Sequence, residues 1–98
     1  MSEDIIKLEY DAAEDMARTF DQGANRLQTV LQEVQKIAKT LEDGALLGRG
    51  GESFVEAING NFTTSLTKLI EKYEELKGDV EAAINYMKEA DAKSQGLF

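Results

Sequence analysis

The sequence predicts an all-α fold, an antiparallel two-helix hairpin assembling as a dimeric four-helix bundle, and three observations carry that prediction. Apolar residues recur every seven positions along two long stretches. Between them, residues 44–51 read Gly-Ala-Leu-Leu-Gly-Arg-Gly-Gly and hold four of the chain's eight glycines. Each glycine costs a helix interior about 1 kcal/mol relative to alanine, so the chain turns here instead of continuing as one helix. The apolar stripes are also wider than one seam between two helices can cover, and pairing two hairpins buries the remainder.

Composition narrows the function before any motif is read. A chain of 98 residues, 42% hydrophobic and 31% charged, fits a single domain over 1–98. Histidine, cysteine, tryptophan and proline are all absent, which removes the imidazole base, the thiol nucleophile and the usual zinc ligands. No catalytic, cofactor-binding or metal-ligating residue is therefore expected. A formal net charge of −8 opposes nucleic-acid phosphates and anionic lipid, leaving protein as the expected partner. Met1-Ser2-Glu3-Asp4 is acidic and no long apolar run follows it, so neither a secretory leader nor a membrane span is visible.

Ile6, Leu8 and Tyr10 alternate with polar residues, which predicts an extended lead-in. The first helix is expected over about 11–42, opened by Asp11 and Glu14 at capping-box spacing. Along it Phe20, Leu27, Val34 and Leu41 form one heptad column, and Ala24, Leu31 and Ala38 form the other, with Val30 and Ile37 widening the stripe. Gly23 beside that stripe allows either a close helix approach or no special role. The turn is expected at about 43–51 and the second helix at about 52–91. There Phe62, Leu69, Leu76, Ala83 and Ala90 form one column and Leu66, Tyr73, Val80 and Met87 the other, while Ile70 and Ile84 sit on the flank. Residues 92–98 are expected to be a mobile tail. The candidate hairpin and dimer core is thus Phe20, Leu27, Leu31, Val34, Leu41, Phe62, Leu66, Leu69, Tyr73, Leu76 and Val80.

At the turn, Leu46-Leu47-Gly48 followed by Arg49-Gly50-Gly51-Glu52-Ser53-Phe54 resembles the small secreted WXG-motif proteins related to the early secreted mycobacterial antigens. The resemblance spans nearly the whole chain. It implies a helical hairpin of this size with Trp-x-Gly in the turn, pairing as a homodimer or as a heterodimer with a related hairpin. Leu46 stands where that family has tryptophan, while Gly48 is retained; leucine fills an apolar notch but has no indole donor. Many members carry an export signal of tyrosine followed four residues on by an acid. Tyr86 is suitably placed, but Ala90 occupies that position, with Glu89 too near and Asp91 too far, and Tyr73 meets Lys77.

The resemblance implies a non-catalytic type VII (ESX-type) secretion substrate or adaptor. It would work through helix-bundle dimerisation, engage the secretion machinery, and be cytoplasmic before leaving the cell without a cleaved signal peptide. An alternative is an intracellular helical adaptor or targeting chaperone for a larger toxin or secreted partner. Glu71, Glu74, Glu75 and Asp79 invite an enzyme reading based on paired carboxylates, but a solvated acidic helix face accounts for them.

Overall fold

The computed structural model describes residues 3–44 and 48–94, with side chains from Lys7 to Gly44 and from Gly48 to Lys93. Among them the chain is all helical, without strands. Helix α1 runs Glu3–Asp43, α2 runs Arg49–Ala57, a π turn occupies Ile58–Phe62, and α3 runs Thr63–Ser94.

Two expectations about the chain's ends are corrected. The lead-in is not extended: α1 begins at Glu3 and passes through Tyr10 and Asp11 without a break. No glycine or proline precedes Gly23, so nothing stops the helix from extending back. Asp11 and Glu14 consequently lie inside the helix instead of capping it, and Leu8 stands 67% exposed. At the other end, α3 continues to Ser94, so the first residues assigned to a tail are helical. Residues 95–98 lie outside the described part of the chain.

The helices pack as two compact units. One combines the chain up to Gln22 with the chain from Tyr73, and the other is Gly23–Lys72. In the first unit the helices run antiparallel, because residues rising along α1 meet residues falling along α3. Tyr10 donates to Asp91, the Phe20 and Tyr73 rings meet edge to face at 5.7 Å, and Lys77 donates to Asp21 at 3.2 Å. In the second unit Asn59 donates to Glu42 at 3.1 Å, near the end of α1 and the start of the returning helix.

Burial follows a seam of alternating three- and four-residue steps. On α1 its first column (a) is Tyr10, Ala17, Ala24, Leu31 and Ala38, and its second (d) is Ala13, Phe20, Leu27, Val34 and Leu41; none of the ten is fully exposed. On the returning chain, column a is Val55, Thr63, Ile70, Lys77, Ile84 and Asp91, and column d is Gly51, Ile58, Leu66, Tyr73, Val80 and Met87. Only Glu14, Gly23, Leu76 and Ala92 are shielded outside these columns among the described side chains.

The core is thin. Its buried members are Ala17, Ala24, Ala38, Val55, Ile58, Ile70 and Ile84, and among the described residues no large side chain is fully buried. Alanine on α1 lets the facing helix approach closely, since interaxial distance follows the side chains at the contact.

Candidate functional site

The sequence reading and the structure agree on one column of the returning helix, Leu66, Tyr73, Val80 and Met87, and differ on its partner. Ile70 and Ile84, expected on the flank, are buried at 6% and 7% exposure. Phe62 and Leu69, expected in the hairpin and dimer core, stand outward from the hairpin at 40% and 42%. This correction amounts to about half a residue's rotation of α3. Its cause lies in the π turn, where the seam steps five residues from Ile58 to Thr63. The Thr63 amide bonds to the Ile58 carbonyl and its hydroxyl donates to the same oxygen at 2.6 Å. No property of the five-residue segment Ile-Asn-Gly-Asn-Phe announces a π turn. Its low helix propensity was the available signal.

The rotation creates a sided surface. In an antiparallel pair, a half-turn about the normal to the helix plane exchanges the two helices and leaves each side in place. Residues just before column a on both helices therefore share one side of the seam, and residues just after column d share the other. In the unit Gly23–Lys72 the first side presents Val30 and Ile37 from α1 with Phe54, Phe62 and Leu69 from the returning chain, all exposed. The second side presents Gln28, Gln35, Glu42, Asn59 and Thr67. The Glu42–Asn59 bond joins two positions of that polar side, as the symmetry requires.

In the other unit the corresponding side carries Glu9 and Met16, the latter 52% exposed, with Leu76, Ala83 and Ala90. The unit's polar side carries Glu14, Asp21, Glu74, Glu81 and Lys88. Lys77, a cation within the seam, reaches Asp21 on this polar side. That hydrogen bond, together with the charges of Asp21 and Glu81, raises the lysine's pKa. At the end of the seam Tyr10 bonds Asp91, and the Lys88 ammonium lies 5.9 Å from the tyrosine ring centre. The bond to Asp91, followed by burial and nearby negative charge, pushes the Tyr10 phenol up to about 12. An open groove lined by Glu14, Arg18, Asp21, Lys77, Glu81 and Asn85 over Ala17 and Ile84 runs along this side. Within it Lys77 pairs with Asp21, while Arg18 pairs with Asp15 one turn back on α1.

At the turn, Leu46 and Leu47 lie outside the described residues. Gly48 is the N-cap of α2, with φ −82° and ψ −175°, and its carbonyl accepts from the Glu52 amide at 3.1 Å. That backbone is ordinary extended conformation, and a Cβ at Gly48 would meet nothing within 4 Å. Position 48 therefore has room for a side chain. The tighter place is Gly44, where a Cβ would lie 2.7 Å from the Thr40 carbonyl oxygen.

The remaining geometry offers surface rather than chemistry. Among the described residues no group of three or more histidine, cysteine or acidic side chains is placed to hold a metal, and no helix is long and apolar enough to cross a membrane. The carboxylates Glu71, Glu74 and Asp79 are exposed.

Comparison with known proteins gives one match. The WXG100 family, described as proteins of 100 residues with WXG, matches over residues 5–92. No curated protein and no solved structure matches the chain significantly. With nearly its whole length matched and two long helices returning on one another, the chain belongs to the WXG100 family of small helical hairpins associated with type VII secretion.

Proposed function

We propose that the protein is a non-catalytic substrate or adaptor of type VII secretion that pairs through its apolar side into a four-helix bundle and leaves the cell without a cleaved leader. The observation that carries the reading is the exposed cluster Val30, Ile37, Phe62 and Leu69 on one side of one compact unit, opposite a side with no apolar residue. At their fractional exposures these four leave roughly 300 Å² of surface open, worth about 7 kcal/mol per protomer if fully covered. Two such patches together fall short of the 1,200–2,000 Å² typical of a stable interface. Phe54, on the same side of this unit, adds to the contact.

A second copy is the default occupant because closed twofold pairs are the commonest assemblies. A related hairpin of opposite charge is the alternative partner. Light scattering over a concentration series, with circular dichroism alongside, tests the pairing. The expected result is a helical dimer that Phe62→Asp or Leu69→Asp converts to a helical monomer. A parent chain that stays monomeric at every concentration would remove the homodimer and leave the heterodimer.

Export is tested in the native bacterium by following the uncleaved protein outside the cell with the secretion ATPase active and inactive. Release independent of that ATPase, or retention while it is active, would support the intracellular adaptor instead. Leu46→Ala and removal of residues 88–98 are expected to impair release more than pairing, which would assign the turn motif and the tail to contacts with the machinery.

A further inference from the structure

The π turn resolves a conflict of phase between two stretches of the returning helix. Val55 and Ile58 of the first stretch are buried, each at 6% exposure. Continued as an α-helix from them, the heptad frame would bring Ser65, Lys72 and Asp79 to the seam together with Phe62 and Leu69. Ser65, Lys72 and Asp79 would then take the seam positions that Leu66, Ile70 and Ile84 help to fill in the structure. The structure avoids this by holding one additional residue within Ile58–Phe62, so that Ile70 and Ile84 face α1 instead. The local sequence permits the widening. The Thr63 amide and hydroxyl both donate to the Ile58 carbonyl, five residues back.

We propose that this π turn is a phase-setting element. It holds one residue in surplus of the heptad frame, and that residue decides which apolar column of α3 packs on α1 and which is left outward. With the surplus present, Phe62 and Leu69 stand outward. In an uninterrupted α-helix of the same length they would be consumed by the hairpin's own seam. The consequence for a partner rests on the pairing proposed above, whereas the phase-setting itself is a property of the single chain.

A surplus residue predicts an asymmetry between losing and gaining one. Deleting Gly60 converts the π turn to α-helix and leaves every seam residue in its column. Inserting an alanine after Asn61 adds a second surplus residue that one turn cannot absorb. The chain has no cysteine, so single thiols introduced by Ile70→Cys or Lys72→Cys report the phase directly through their rates of maleimide labelling.

In the parent-length chain and in the deletion, Ile70→Cys is expected to label more than about tenfold more slowly than Lys72→Cys, since it reacts only when the seam opens. The deletion should melt at or above the parent, and the insertion at least about 4 °C below it. Equal loss of melting temperature in the deletion and the insertion would overturn the proposal. So would Ile70→Cys labelling as fast as Lys72→Cys in either the parent-length or the deletion background. None of these readings depends on a dimer, so failure here is distinguishable from failure of the pairing.

Discussion

Replacing Ile70 by alanine and, separately, its neighbour Leu69 by alanine tests the assignment of the seam at adjacent positions. Ile70 is 6% exposed and Leu69 is 42% exposed. Truncating a buried isoleucine costs 2–5 kcal/mol, depending on how far the surroundings collapse into the space left. Here the core is thin and every large seam side chain is partly open to solvent, so collapse is easy and the expected cost is about 2 kcal/mol. Leu69 loses only what the hairpin itself covers, at most about 1 kcal/mol. For a domain of this size these correspond to falls of about 8–16 °C and at most about 8 °C. Thermal melts followed by circular dichroism at several protein concentrations provide the assay. The Ile70→Ala loss should be the same at low and high concentration, while the Leu69→Ala loss should grow as pairing becomes populated. Equal losses at the lowest concentration would refute the seam.

The raised phenol of Tyr10 makes stability sensitive to alkali. The folded chain holds this proton more tightly than the unfolded chain, so the contribution is complete below pH 10 and lost as the pH climbs toward about 12. Tyr10→Phe should flatten that part of a pH–melting curve, leaving the alkaline loss due to Lys77, whose raised pKa has the same sign. At the turn, Gly48→Ala should change the melting temperature by less than about 2 °C, whereas Gly44→Ala should lower it by several degrees, because only the second Cβ meets backbone. Two chains of net charge −8 repel, so homodimer affinity measured by sedimentation should rise between low and physiological salt. Affinity that falls with salt for a basic related hairpin would instead identify a heterodimer.

Much of the fold was legible because heptad spacing and a glycine-rich turn are properties of sequence alone. Column Leu66, Tyr73, Val80 and Met87 could be read without coordinates, as could the whole of α1's seam from Ala24 to Leu41. Its N-terminal continuation was misread because Ile6, Leu8 and Tyr10 alternate as a strand would, and alternation over five residues cannot be told from chance on a helix. Phe62 and Leu69 were grouped with Leu76, Ala83 and Ala90 by heptad spacing, and the surplus residue leaves both outward from the hairpin seam. Spacing counts residues, and it cannot register a turn that contains one too many. The requirement at Gly44 was likewise invisible, since it depends on the distance to one carbonyl oxygen.

In the unit Gly23–Lys72 exposed apolar residues occupy one side of the seam and polar residues the other, which bears on growth. A hairpin sticky on both sides would accept a neighbour on each and propagate into layers or filaments. With carboxylates, amides and a lysine along the second side, a hairpin pairing as proposed through its apolar side would have little hydrocarbon there to offer a third copy. On that proposal stoichiometry follows from the sidedness of two helices, and a single apolar substitution on the polar side, such as Gln35→Leu, is the kind of change that would begin to undo it.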